Sequence, residues 1–115
     1  MKLAEIAFFT DQVQQMSAFY RRLLKVEPVA SSDKMTIFFL NDTKILIHYR
    51  YPHQEGELPP ENHHTFLVDY VDTCCQQLMS QGLNLEIPPQ DYYWGRSAYL
   101  RDPDGHQIEI TQKGK

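Results

Sequence analysis

The sequence has little of what several common classes of protein require. It contains no apolar run long enough to cross a membrane, no glycine-rich phosphate loop, no nucleophile elbow and no cysteine–histidine pair. Its two cysteines, Cys74 and Cys75, are adjacent, so they form neither a disulfide framework nor a CxxC metal pair. We expect them to be buried small apolar residues. Acidic residues outnumber basic ones by 15 to 11, and the resulting net charge of -4 argues against a nucleic-acid or anionic-membrane surface.

What remains is an ordinary globular composition. The chain has 115 residues, 42% of them hydrophobic and 23% charged, which is enough for a core without disulfide or metal staples. We therefore expect one domain, and in the absence of a targeting segment a cytoplasmic location.

Hydrophobic periodicity predicts the order strand, helix and three strands twice. A shift of 58 positions, the distance from Glu5 to His63, also lays Phe8 on Phe66 and Val13 on Val71. The predicted strands are Leu3–Thr10, Val29–Ser31, Met35–Leu40 and Thr43–Arg50, then His63–Val68, Leu85–Ile87, Ser97–Arg101 and Gln107–Thr111. Two modules, about 1–50 and 63–115, are thus joined by a Pro/Glu-rich linker between Tyr51 and Asn62.

Each module contains one amphipathic helix. Asp11 is predicted to start or cap the first helix, and Asp69 or Asp72 to cap the second, which Gly82 ends. The predicted buried stripes are Val13, Met16, Phe19, Tyr20, Leu23 and Leu24 in the first helix, and Val71, Cys74, Cys75, Leu78 and Met79 in the second.

A hairpin near the end of the chain fixes the orientation of one carboxylate. Asp102-Pro103-Asp104-Gly105 is typical of a type I turn between two strands. If Ile108 and Ile110 pack against the helix, Glu109 projects from the opposite face. For a lone strand glutamate, solvation is the simplest explanation, unless other ligand-type residues share its face.

Alternation indicates that such residues do share it. Each helix must cover one face of its own strands, which leaves Glu5, His63 and Glu109 on the other face, with His48 close in register. His64 shares a face with Phe66, so we expect it toward the helix or at the start of its strand. Carboxylates together with imidazole are ligands for a divalent metal.

The segment Asp91-Tyr-Tyr-Trp-Gly-Arg96 suits the rim of a cleft. Tyr93 and Trp94 are candidates for stacking on a ligand, although aromatic packing at a strand start or dimer interface explains them equally well. Arg96 either binds an anionic group or pairs with one of the excess carboxylates.

Several of these features together resemble the vicinal oxygen chelate superfamily, which includes glyoxalase I, bleomycin-resistance proteins and dioxygenases. They are the paired modules, Phe19-Tyr20, His63 opening the fifth strand, Val68-Asp-Tyr-Val-Asp72, and Arg101-Asp-Pro-Asp-Gly-His-Gln-Ile-Glu109. The resemblance covers essentially the whole chain. It implies an α+β fold of two βαβββ modules that form curved mixed sheets around a cleft, with helices on the outer faces, and a homodimer.

The resemblance also implies a ligand set. The family's ligand positions on the first, fifth and eighth strands fall on Glu5, His63 and Glu109, and the fourth-strand position falls near Leu46, which cannot bind metal. His48 either substitutes for that ligand or is an ordinary pocket histidine. The implied cofactor is a divalent ion, with Mn, Fe or Mg favoured by oxygen ligands and Zn or Ni also compatible.

Two functions follow. One is a metal-dependent lyase, transferase or isomerase for a small oxygenated substrate, with Glu109 as catalytic residue and with His48, Tyr93, Trp94 and Arg96 as substrate-binding residues. The other is a metal-free protein, similar to bleomycin-resistance proteins, that sequesters an aromatic or cationic compound.

Overall fold

The computed structural model describes residues 1–55 and 57–114, and its elements confirm the α+β prediction of two βαβββ modules. The first module contains β1 (Lys2–Thr10), α1 (Val13–Leu24), β2 (Ala30–Ser31), β3 (Met35–Leu40) and β4 (Thr43–Tyr49). The second contains β5 (His63–Leu67), α2 (Val71–Ser80), β6 (Leu85–Tyr92), β7 (Gly95–Arg101) and β8 (Gln107–Gln112).

The chain forms two compact units that differ slightly from the modules. The N-terminal unit is Glu5–Asn62, and the C-terminal unit is Met1–Ala4 together with the residues from His63 onward. Residues 51–55 and 57–62, where we predicted a linker, form neither helix nor strand. The single-domain organisation stays a prediction.

In the N-terminal unit the strand order is β2-β3-β4-β1, with β1 and β4 parallel and the other pairs antiparallel. Helix α1 packs on β3 and β4. The core of this unit consists of Val13, Phe38, Ile45 and Ile47. Five partly buried residues pack around them: Phe8, Met16, Tyr20, Leu24 and Val26. The parallel β1–β4 pair arises because α1 and the β2–β3 hairpin carry the chain across between them.

In the C-terminal unit the order β6-β7-β8-β5 repeats this arrangement, again with a single parallel pair, β5 and β8. The core consists of Val71, Cys75, Ala98, Leu100 and Ile110, against which Phe66, Val68, Cys74, Leu78, Leu85 and Ile108 pack. Both cysteines are therefore apolar packing residues, as predicted. Ile108 and Ile110 face α2, which places Glu109 on the opposite face.

The predicted helix caps were wrong. The N-cap residues are Gln12 and Tyr70, and in the described part of the chain neither makes a side-chain cap. Asp11 instead pairs with Arg50. A residue distant in sequence accepts a hydrogen bond from the N-terminus of α2. The backbone N–H of Val71 donates to Oε1 of Gln112 at 2.7 Å. Gly82, with φ at +90°, does end α2.

The predicted apolar stripes were too wide. Phe19, Leu23 and Met79 are 51%, 59% and 49% exposed. At about 100° of rotation per residue, Phe19 lies roughly 100–120°, close to a third of a turn, from the line of Val13 and Tyr20 that faces the sheet. A helix on a four-stranded sheet buries a narrower sector than its apolar residues occupy.

Strand β6 is longer than predicted and contains Pro88 and Pro89. Its pairing with β7 has register shifts between Leu85 and Ile87 and between Ile87 and Gln90. Because β6 is an edge strand with irregular pairing, it tolerates two residues that cannot donate to the ladder. Neither helix in the described ranges is long and apolar enough to span a membrane.

The burial pattern predicts a large difference between two substitutions in the N-terminal unit. Ile47→Ala, at a fully buried position of β4, should lower the free energy of unfolding by about 2–5 kcal/mol. Leu23→Ala, at the exposed side of α1, should change it by no more than about 0.5 kcal/mol. Urea unfolding followed by circular dichroism measures both, and equal losses would contradict the packing described.

Candidate functional site

Glu109 is the buried carboxylate on which the candidate site is built. It lies in the middle of β8, between β5 and β7, and is 5% exposed. The parallel register pairs it with Thr65 on β5, and the antiparallel register pairs it with Tyr99 on β7, which is also buried. A solvated Glu109, the simplest expectation for a lone strand glutamate, is therefore excluded.

Hydrogen bonds from three other residues compensate for burying this carboxylate. Oε1 accepts a bond from the Thr65 hydroxyl at 3.1 Å, and Oε2 accepts bonds from the Ser97 hydroxyl at 2.8 Å and the Trp94 indole N–H at 3.1 Å. An ionised carboxylate only accepts, so the Ser97 hydroxyl is the donor to Glu109, and its oxygen also lies 2.8 Å from the hydroxyl oxygen of Thr111. The network fixes the orientation of the carboxylate.

His63 faces the same carboxylate. Its Nε2 lies 3.4 Å from Oε1 of Glu109, and both side chains are largely buried. This separation is longer than the roughly 2.7–3.2 Å of a usual N–H···O bond. It matches the spacing of about 3–3.4 Å between two ligands that bind one ion at 2.0–2.2 Å each. When Nε2 carries no proton, both atoms present lone pairs, and a cation between them would bind both.

The neighbouring histidine has a different environment. His64 is exposed at the start of β5, whereas Phe66, two residues further on the same face, packs in the core of the C-terminal unit. This agrees with the expectation that His64 points away from the candidate ligands. Of these two adjacent histidines, His63 faces Glu109, whereas His64 is exposed.

The aromatic segment contributes to the site through Trp94. Its ring stacks on Tyr92 with centroids 4.4 Å apart and an angle of 5°, while its N–H reaches Glu109. Burial, and then the charge of Glu109, raises the pKa of the Tyr92 phenol. Tyr93 meets the edge of Trp94 but is 93% exposed. Of the candidate substrate-binding aromatics, Trp94 contacts the carboxylate and Tyr93 does not.

Arg96 serves as an ion-pair partner. It forms a bidentate pair with Asp72, at 2.7 and 2.9 Å, and reaches Asp91 at 2.9 Å. These hydrogen bonds raise the pKa of the guanidinium and hold the pKa of the Asp72 carboxyl below its ordinary value. Of the two roles open to Arg96, the structure supports pairing with carboxylates. Its ion pair with Asp72 links β7 to the first turn of α2.

In the N-terminal unit, Glu5 projects from β1 and its Oε2 lies 3.3 Å from the ammonium group of Lys44. Lys44 is the residue of β4 in register with Glu5. The pair explains how a largely buried glutamate is accommodated, since an adjacent cation stabilises its charged form.

His48 lies two residues along β4 from Leu46, away from Glu5. Phe9 is in register with His48 and Glu5 with Lys44, so His48 lies four residues, or about 13 Å, along the sheet from Glu5. Its Nδ1 lies 2.8 Å from the carbonyl oxygen of Tyr49, and its ring contacts Phe9 and Tyr51. His48 is therefore part of an aromatic cluster in the N-terminal unit, which fits a pocket histidine and not a ligand.

The registers also identify the counterpart of Glu109. In the C-terminal unit Thr65 pairs with Glu109, and the equivalent pair in the N-terminal unit is Ala7 with Leu46. By register the counterpart of Glu109 is therefore Leu46, near which the family resemblance placed the fourth-strand ligand. Two positions in each module are therefore equivalent. Three of the four residues there can bind a metal, namely Glu5, His63 and Glu109, and the fourth is Leu46.

Sequence reasoning missed the residues that hold Glu109 in place. Thr65 lay on the predicted face, but Ser97 and Thr111 carried no signal beyond alternation. A hydroxyl on each strand that flanks a central carboxylate is recognisable only after β5, β8 and β7 are placed in register.

The family follows from the sequence match. Residues 2–110 match the Glyoxalase/Bleomycin resistance protein/Dioxygenase superfamily, so the chain belongs to it. No curated protein matches the chain.

Solved structures share the fold. An NAD-dependent benzaldehyde dehydrogenase from Legionella pneumophila is 22% identical with a TM-score of 0.72, over 95% of this chain and 97% of that one. A hypothetical protein from Bacillus halodurans is 18% identical with a TM-score of 0.76, over 99% and 95%. A Mn(II)-bound glyoxalase from Novosphingobium aromaticivorans is 16% identical with a TM-score of 0.69, over 98% of this chain but 40% of that one. Such low identities establish the fold alone.

The hydrogen bonds around Glu109 predict strong coupling with Ser97. Ser97→Ala should lower the free energy of unfolding by about 1.5–3 kcal/mol, because a buried carboxylate loses a donor. In a Glu109→Met background the same substitution should cost much less. A double-mutant cycle by urea unfolding in chelator measures the coupling, and a coupling energy below about 0.5 kcal/mol would refute the network.

The Asp72–Arg96 pair predicts a pH effect. Because the pKa of Asp72 is lowered from its ordinary 3.8 on folding, the pair stabilises the protein above that value, and this contribution is lost as the pH falls through the lowered pKa. Asp72→Asn should therefore lose less stability than the wild type between pH 5 and pH 2. Urea midpoints across this range provide the check. The effect should be small and reduced by salt, since the carboxyl is exposed.

Proposed function

We propose that this protein is a divalent-metal-dependent enzyme of the glyoxalase family, of lyase, transferase or isomerase type, that acts on a small oxygenated substrate. The observation that carries the proposal is the buried pair formed by His63 and Glu109, with an imidazole nitrogen and a carboxylate oxygen 3.4 Å apart. A proton or a metal ion satisfies such a pair, and the spacing fits two ligands of one ion.

The residues around Glu109 fit the surroundings of a metal ligand. Trp94 and Ser97 donate to Oε2 and so direct Oε1 toward His63. Ligating carboxylates are held in this way by partners that do not themselves touch the ion. Glu109 would thus act both as ligand and as the catalytic carboxylate next to the substrate.

Glu5 is the proposed third ligand, and its assignment rests on the sequence. It occupies in the first module the position that His63 occupies in the second, and it matches the family's first-strand ligand. Lys44 is its cationic partner in this structure. A metal ion that binds Glu5 would therefore compete with the Lys44 ammonium for the carboxylate.

A set of one imidazole and two carboxylates favours manganese, iron or magnesium, with zinc or nickel also compatible. The manganese in the Novosphingobium glyoxalase supports the first of these. When bound, the ion would serve as a Lewis acid for substrate oxygens, since three protein ligands leave coordination positions open.

The homodimer expected from the sequence stays a prediction.

The decisive experiment compares the two adjacent histidines. His63→Ala should abolish retention of metal, because it removes the nitrogen ligand, whereas the matched variant His64→Ala should retain it. Protein purified without chelators is analysed by mass spectrometry for metals, and Mn(II) affinity is then measured by calorimetry on the metal-free form. Glu5→Gln and Glu109→Gln should each weaken Mn(II) binding at least tenfold.

Two results would contradict the proposal. One is wild-type protein that binds no divalent ion, and the other is equal metal retention by the two histidine variants. The metal-free binding protein would then be the better assignment. Trp94, with 42% of its surface exposed above the stacked Tyr92, would be the surface that receives an aromatic compound.

A further inference from the structure

Gln107 is a buried polar side chain that has no hydrogen-bond partner in the part of the chain that the structure describes. It is 1% exposed, and within residues 1–55 and 57–114 neither Nε2 nor Oε1 of its amide makes a hydrogen bond. Burial of an amide without hydrogen bonds is costly, and folded proteins avoid it almost completely. An apolar side chain of similar size would fill the same space without this cost, so the amide requires an explanation.

Its position connects it to the candidate site. On β8, Gln107 lies two residues before Glu109 and therefore on the same face of the strand. It is in register with His63 on β5 and with Arg101 on β7. The Arg101 guanidinium bonds Glu86 and the carbonyl of Gly105 instead. The unpartnered amide thus lies beside the imidazole that faces Glu109.

We propose that Gln107 contacts the ligand that binds at His63 and Glu109, so that its amide is satisfied when the site is filled. The inference rests on the proposed function and adds a residue that holds the substrate and not the metal. An amide presents one acceptor and two donor hydrogens side by side. The substrate it fits carries an acceptor next to a donor, as in an α-hydroxycarbonyl compound, an α-hydroxy acid or a hydroxamate.

A structural water is the competing explanation, and it predicts the opposite effect on stability. If a permanent water satisfied the amide, replacing Gln107 by an apolar residue would strand that water and lower the melting temperature. If the amide stays unsatisfied until a ligand arrives, the same replacement removes an unfavourable buried group. The melting temperature of the empty protein then stays the same or rises.

The test uses Mn(II)-loaded protein and acetohydroxamate, which chelates through two oxygens and carries an adjacent N–H donor. Gln107→Met should leave Mn(II) affinity within twofold of the wild type and weaken acetohydroxamate binding about tenfold, as expected for lost hydrogen bonds. Gln76→Met, the same change at an exposed site of α2, is the control and should alter neither. Calorimetry gives both affinities, and thermal unfolding gives the melting temperature. Gln107→Leu repeats the measurement in case the first variant folds poorly.

The outcomes separate the two proposals. Wild-type protein that fails to bind Mn(II) defeats the proposed function, and this inference falls with it. If Mn(II) binds but Gln107→Met takes up acetohydroxamate as well as wild type does, the role of Gln107 is refuted while the metal site stands. A melting temperature several degrees lower in both Gln107 variants assigns the amide to a structural water and also refutes the proposal.

Discussion

The buried charge of Glu109 is the constraint on which the rest of the C-terminal unit depends. A carboxylate at 5% exposure is tolerated only when its oxygens are hydrogen-bonded or paired with a cation. Thr65, Ser97 and Trp94 supply donors from both flanking strands and from the segment that follows β6. They leave Oε1 directed at His63. The same bonds that make burial possible therefore define the geometry in which an ion would be held.

The two units of the repeat differ in the polar residues at equivalent positions. Both units share strand order and registers, yet the position that carries Glu109 in one carries Leu46 in the other. A leucine side chain accepts no hydrogen bonds. Accordingly, the residue in register with Leu46 is Ala7, whereas the residue in register with Glu109 is Thr65, a hydrogen-bond donor. In the N-terminal unit the polar position is Glu5, and its charge is balanced by Lys44. One topology thus accommodates a carboxylate by two different means.

Where the helix caps were predicted wrongly, the reason was an interaction between residues distant in the sequence. Asp11 lies next to α1, but its carboxylate is taken by Arg50. Gln112 bonds the first N–H of α2 from a strand 41 residues further on. Asp72 lies in the first turn of α2 and is bound by Arg96. Local rules for capping assume that the side chain of a nearby aspartate is available to the helix N-terminus. Here ion pairs with arginines distant in the sequence bind those carboxylates instead.

The sequence by itself determined the fold class, the repeat and the faces of the strands, because alternation and helical periodicity depend only on the order of apolar and polar residues. It thereby placed His63 and Glu109 on one face and His64 apart from them. Only the tertiary structure decided that Glu109 is buried, that Ser97 and Thr65 hold it, and that His48 lies far along the sheet from Glu5. It also decided that the Gln107 amide has no hydrogen-bond partner among the described residues. These facts depend on the register between strands, and a shift of two residues preserves every face while changing every neighbour.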